Sequence, residues 1–341
     1  MINNQRVPYF DVLNIIACIA VIALHHNGIV HWYDVHSVIW IQALVFEVFF
    51  FWAVPIFFML TGATLLGYRA KYSTYDFFKK RVTRTLIPFI LFSMLYIIHN
   101  YFIFNINYDS GLQAINDIFN TRIAYANVFW FFIPLLMLYL VIPVLSLLKD
   151  NIKILLYIVF LGFLFSSCIP VLFPFLGLEV NRHLQFSLGG YILFLVLGYL
   201  AHILYLPKKV RLVIYLLGIL GALFRFFMTY KMSLDSNSIN YTFTDYIQFH
   251  SVFLALSVFV FFKYLKLDFL NKNTPTLGKI SSCSLGIYLI HILVMEYELK
   301  LYNIKPDNIL WRTVGILSTY VICLFIVYSI KRIPYIKNIF P

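Results

Sequence analysis

Stretches of about twenty apolar residues recur along this chain, and a helix needs about that length to cross the hydrocarbon core of a bilayer. Ten stretches are read at roughly 9–27, 39–67, 85–104, 126–148, 154–176, 189–206, 211–230, 247–265, 284–303 and 311–330. Hydrophobic residues make up 62% of the 341, and charged residues only 12%, against about 25% in an ordinary soluble domain. So few charges cannot cover such a core in water. A soluble enzyme, a disordered chain, a collagenous chain and a disulfide scaffold are excluded. The expected fold class is an all-α integral membrane protein of about ten transmembrane helices, with the lipid bilayer as its first partner.

The formal charge is +12, and its distribution sets the orientation. With the N-terminus in the cytoplasm, 19 of the 26 Lys and Arg fall in cytoplasmic segments. This bias favours both termini inside and removes nucleic acid as a partner. The N-terminal apolar run closes on His25 and His26 rather than on a small-residue cleavage site, so the first span is expected to stay. Cys18, Cys168, Cys283 and Cys323 form no CxxC pair and are read as apolar packing residues, with no metal site. There is no HExxH, GxSxG, P-loop or dinucleotide-binding turn.

Chemistry at membrane depth rests on few side chains. The first span, YFDVLNIIACIAVIALHHNG, ends in two adjacent histidines, which lie about 100° apart on a helix. At most one faces the bundle interior squarely. An imidazole is suited to take a proton from a hydroxyl, and an ionisable group at membrane depth marks function. Glu47 is an acid well inside an apolar stretch. Helical rise puts it within ~5 Å of the depth of His25, which leaves two readings: a Glu47–His25 contact that fixes the imidazole tautomer, or a Glu47 that is protonated or paired with an unrelated polar group. Pro55 lies inside the second span and should kink it. In the loop KKRVTRTLIPF, Arg81 and Arg84 are three apart and share a helical face. Two guanidinium forks there suit a phosphate-bearing ligand.

Five segments in order resemble acyltransferase family 3, multi-span bacterial enzymes that acylate cell-surface sugars and related molecules. The family's first helix typically reads DxLR, ten residues, then His; here Asp11 to Asn14 is followed, after ten residues, by His25. VPIFFMLTG (Val54 to Gly62) and KRVTRTLIPF (Lys80 to Phe89) match the second span and the loop. Trp130-Phe131, Leu138-Tyr139 and Pro143 match the fourth span. SLGIYLIH (Ser284 to His291) matches the ninth.

The resemblance implies a single transmembrane acyltransferase domain over 1–341 in the bacterial plasma membrane. Its donor is a cytoplasmic acyl-CoA, acetyl-CoA first and succinyl next, and its acceptor a hydroxyl of a cell-surface or lipid-linked glycan. It selects His25 over His26 as the reactive residue, and the depth match makes Glu47 the candidate to orient it. It assigns Arg81 and Arg84 to the CoA phosphates; Trp130 and His291, in matching segments, are weaker candidates for lining the site, a structural role for each being an equal alternative. Asn14 stands where the family carries Arg, on the donor side. Intramembrane His, Glu and Arg with a kinked helix also suit a transporter or flippase of a lipid-linked glycan.

Overall fold

The computed structural model describes residues 6–266 and 274–334, so Lys272 and Lys337 of the positive-inside tally lie outside the described residues. Every regular element among the described residues is helical. The helices are α1 (Pro8–His26), α2 (Val38–Phe50), α3 (Ala53–Leu65), α4 (Thr74–Arg81), α5 (Ile87–Ile103), α6 (Gly111–Phe119), α7 (Phe132–Leu145) and α8 (Ile152–Gly162). They continue with α9 (Ile169–Phe175), α10 (Tyr191–Ile203), α11 (Lys208–Asp235), α12 (Phe249–Tyr264), α13 (Thr274–Ser281), α14 (Ser284–Tyr302) and α15 (Ile309–Ile330).

Seven helical segments among the described residues are long and apolar enough to cross a membrane, against the ten expected. The remainder has a physical explanation. α10 and α12 are apolar but only 13 and 16 residues long, or about 20 and 24 Å, short of the ~30 Å core. α14 has the length, 19 residues, but carries Glu296, Glu298 and Lys300; it passes as a span only together with α13, which it meets at a 50° bend. A belt of large apolar side chains, including Phe49, Phe102, Leu147, Phe160, Leu216 and Phe325, faces outward. Such a continuous apolar surface requires lipid around it.

The second span is broken at Phe51–Trp52, where α2 gives way to α3. Pro55 has no N–H to return to the carbonyl of Phe51, so the helical ladder is interrupted there. α1 runs through the middle of the bundle, packed against α2, α3, α12, α13, α14 and α15. Its small residues Ala17, Ala20 and Ala23 are fully buried and let the neighbours approach. The free thiols of Cys18, Cys283 and Cys323 are buried apolar fillers, as the sequence suggests.

The closest helix crossing is that of α3 with α10. A Cβ on Gly62 would lie 1.8 Å from the Leu195 carbonyl oxygen, and one on Gly198 would lie 2.1 Å from that of Met59. Both obstacles are backbone and cannot swing aside. The glycine closing VPIFFMLTG is therefore a packing residue. Gly198→Val should lower the thermal midpoint of the detergent-purified protein by several degrees, because overpacking a tight interior costs about 1–3 kcal/mol even where side chains can yield. An unchanged midpoint would mean that the two backbones are not in contact.

Candidate active site

A cavity of about 340 Å³ opens at the face where α1 begins and runs inward between α1, α3, α7 and α14. Asp11, Asn14, Thr61, Thr64, Arg81, Ser281, Ser282 and Ser284 make its polar end, while Phe57, Leu60, Phe131, Leu135 and Leu285 make the inner part apolar. Tyr288 lines the innermost end and donates a hydrogen bond to the Val128 carbonyl. Its ring is 5.5 Å from that of Phe131, so two aromatic rings close the cavity.

The polar mouth is built where helices start or break. Arg6 donates to both carboxylate oxygens of Asp11, at 2.6 and 2.9 Å, and to the Gly278 carbonyl. The bond to Asp11 raises the Arg6 pKa. Asn14 donates through Nδ2 to the Ser281 carbonyl and hydroxyl, both at 2.9 Å, and to Ser284 Oγ at 3.2 Å. It thus ties α1 to the break between α13 and α14 while remaining on the cavity wall. An asparagine with three serine oxygens around its amide is complete in itself, which accounts for a neutral side chain at this point of the wall.

Arg81 and Arg84 are separated by a change of helix type. Residues Val82–Leu86 form a π-helical turn between α4 and α5. The wider turn rotates positions three apart away from one another, so the common face expected from α-helical spacing is not formed. Arg81 is half-buried on the cavity wall, its guanidinium 5.5 Å from the Tyr139 ring centre. Its Nε is buried without a hydrogen-bond partner among the described residues. Arg84 is exposed and lies outside the cavity lining, within electrostatic reach of Lys331. Lys331 donates to the Ser282 carbonyl at 2.8 Å at the same mouth. Burial, with the charge of Arg84 added, lowers its pKa. Neither Arg81 nor Arg84 makes an ion pair with a described residue. Arg6 is compensated by Asp11, whereas Arg81 and Arg84 leave positive charge at the mouth, the electrostatic complement of a phosphate group.

The two histidines closing α1 have different surroundings. His26 is buried and engaged through both nitrogens, Nδ1 with the Trp311 carbonyl and Nε2 with Thr319 Oγ1, each at 2.9 Å. Thr319 in turn bonds the carboxylate of Glu298. His25 is half-buried, makes no hydrogen bond to a described residue, and has its ring centre 5.2 Å from that of His291. His291 is fully buried, one turn of α14 beyond Tyr288, and their ring centres are 5.6 Å apart. The histidine pair therefore lies just past the closed end of the cavity. His99, His202 and His250 are hydrogen-bonded to Tyr297, Tyr9 and Gln248, although the Nδ1 of His99 is buried without a partner among the described residues.

Glu47 is not beside His25, contrary to the expectation from depth. It is buried against Arg225, which reaches its Oε1 at 3.1 Å and its backbone carbonyl at 3.2 Å. The Arg225 Nε donates to the Phe243 carbonyl at 2.9 Å, and the guanidinium lies 3.4 Å from the Phe51 ring centre. Matching depth fixed the level of Glu47 but not its azimuth, and the side chain turns towards α11. Trp130 is half-buried and outside the cavity; it stacks on Tyr246 with ring centres 5.7 Å apart.

The structure adds Tyr288, Ser281, Ser284 and Lys331 to the residues singled out from sequence. Tyr288 lies inside the segment ending at His291, but apolar surroundings gave no sign that its ring closes a cavity. Lys331 was visible only as one of the positive-inside charges. Among the described residues, no three His, Cys, Asp or Glu side chains gather in a way that would hold a metal ion.

The cavity thus combines a polar end that carries Arg81 with an apolar inner part that Phe131 and Tyr288 close. The family model described as an acyltransferase domain matches residues 7–328, nearly the whole chain. The protein belongs to acyltransferase family 3 and is a membrane acyltransferase. Searches of curated proteins and of solved structures gave no match.

Proposed function

We propose that the protein transfers an acyl group, acetyl in the simplest case, from a cytoplasmic acyl-CoA to a hydroxyl of a cell-surface or lipid-linked glycan in the bacterial plasma membrane. The observation that carries the reading is the cavity itself: its cationic mouth lies on the side where positive-inside charge puts the cytoplasm, and its closed end adjoins His25. A volume of about 340 Å³ is at the small end for ligand sites. It suits the acyl-pantetheine arm and leaves the nucleotide at the mouth. There Arg81 faces the CoA phosphates, with Arg84 and Lys331 on the rim.

The chemistry needs one base. His25 accepts the proton of the acceptor hydroxyl as that oxygen attacks the thioester carbonyl carbon. The carbon–sulfur bond breaks, and the departing thiolate takes the proton from the imidazolium. The products are the ester and free CoA thiol, with proton and electron pair balanced. The reading is supported by the absence of any hydrogen bond from His25 to a described residue. Tyr288 and Phe131 stand between the cavity and His25, so the thioester must displace or pass these rings to react. Trp130, Tyr246 and Tyr191, at the opposite face, offer aromatic surface for the acceptor sugar.

Membrane vesicles containing the protein should move label from [14C]acetyl-CoA or another labelled short-chain acyl-CoA into the glycan or lipid-linked fraction. Vesicles lacking the protein should not. Equal labelling in the two would remove the reading. Within this assay Arg81→Gln should raise the KM for acyl-CoA by roughly 10- to 100-fold, the worth of a charge-assisted contact of about 1.5–3 kcal/mol. The value of kcat should stay nearly constant, as expected for a contact made equally in ground and transition states. An unchanged KM would return Arg81 to ordinary positive-inside charge.

A further inference from the structure

We infer that His291 is the positioning residue of the proposed base, and that it does through its Nε2 what Glu47 was expected to do. The inference rests on the acyl-transfer reading above. His291 Nδ1 is 2.7 Å from the Tyr288 carbonyl, an oxygen that only accepts, so Nδ1 carries the proton. In the neutral ring Nε2 is then a bare lone pair. That atom is buried and has no hydrogen-bond partner among the described residues, an arrangement that costs free energy unless something uses it.

The side chain that can use it is His25. Two imidazoles joined in line by an N–H···N bond of about 2.9 Å have ring centres roughly 5 Å apart. The observed separation is 5.2 Å, with the rings tilted by 46°. The bond needs a nitrogen of His25 to turn towards His291 Nε2, a rotation about χ2, which is a soft torsion in histidine. Other acceptors near this level are engaged elsewhere: Glu47 by Arg225, Glu298 by Ser318 and Thr319, His26 by Trp311 and Thr319.

The consequence is a fixed tautomer. With one His25 N–H donated to His291, the other His25 nitrogen must be the lone pair that meets the acceptor hydroxyl. When that nitrogen takes the proton, the imidazolium keeps its bond to a neutral partner. A neutral partner does this without placing a second charge at membrane depth, where an uncompensated carboxylate would be costly. The chain Tyr288 carbonyl, His291, His25 thus transmits orientation from the backbone of α14 to the base on α1.

Three variants separate this role from packing. His291→Phe fills the space and removes the acceptor. His291→Asn keeps a donor for the Tyr288 carbonyl but does not reach the Nε2 position. His291→Gln brings an amide oxygen near that position. Rates are read in vesicles with labelled acetyl-CoA, and thermal midpoints on the purified proteins. The expected result is a loss of kcat of about 10- to 100-fold in Phe and Asn, the usual effect of removing an orienting partner. The KM for acetyl-CoA should stay within about two-fold, with midpoints at or above wild type, and Gln should recover most of the lost rate. Equal rates in all three, a rise in KM alone, or midpoints that fall in step with activity would overturn the inference while leaving acyl transfer in place. Absence of transfer by the wild-type protein would remove the reading and the inference together.

Discussion

Replacing His25 by alanine should lower acyl transfer by about 10²- to 10⁴-fold, the contribution of a general base, while the protein still folds and inserts. The contrast with its neighbour sharpens the expectation. His25 gives up no hydrogen bond to a described residue when truncated, so the bundle loses little. His26 holds the Trp311 carbonyl and Thr319 Oγ1 at 2.9 Å each. His26→Ala strands buried polar groups at about 1–3 kcal/mol apiece and should lower the thermal midpoint. Adjacent histidines on one helix are thus expected to give opposite phenotypes, loss of activity at full stability and loss of stability. Initial rates in vesicles and thermal scans of the purified variants check both. Full activity in His25→Ala would remove the base assignment.

Breaking the Glu47–Arg225 pair should have the largest effect on stability. Both side chains are more than nine-tenths buried, and removing one partner of a buried pair leaves the other charge uncompensated at about 3–5 kcal/mol. Glu47→Leu and Arg225→Met should each fold poorly, seen as reduced yield and a lowered midpoint. The double variant Glu47→Leu/Arg225→Met should recover most of the loss, since apolar replacement of a whole buried pair is often neutral. It should also keep acyl transfer, because neither residue reaches His25. A stable but inactive double variant would put Glu47 back into the chemistry.

The helical membrane class was legible because a bilayer imposes one length and one polarity on every span, and both are properties of sequence alone. The count of spans was less legible. α10 and α12 have the right polarity, but their helical length depends on where turns such as Gly190 fall; α14 has the length but carries Glu296, Glu298 and Lys300. On the site, the order of the motifs showed which segments matter, and His25, Asn14 and Arg81 lie at or beside the cavity. Azimuth was the information missing. Depth arithmetic placed Glu47 level with His25 but could not show that it turns to Arg225 on α11. Three-residue spacing placed Arg84 with Arg81 only on the assumption of an α-helix, and the π-helical turn at Val82–Leu86 removes that assumption. His291 was visible as a histidine at depth. Its unused Nε2 is a property of the packed bundle and has no sequence signal.

The most direct measurement is equilibrium binding of isotopically labelled acetyl-CoA to the detergent-purified protein, with Arg81→Gln beside it. The cavity and its cationic mouth predict saturable binding by the wild type, weakened roughly 10- to 100-fold in the variant and unaffected by His25→Ala. Failure of the folded protein to bind any acyl-CoA would contradict the donor site, and with it the assignment of acyl transfer from CoA to this cavity.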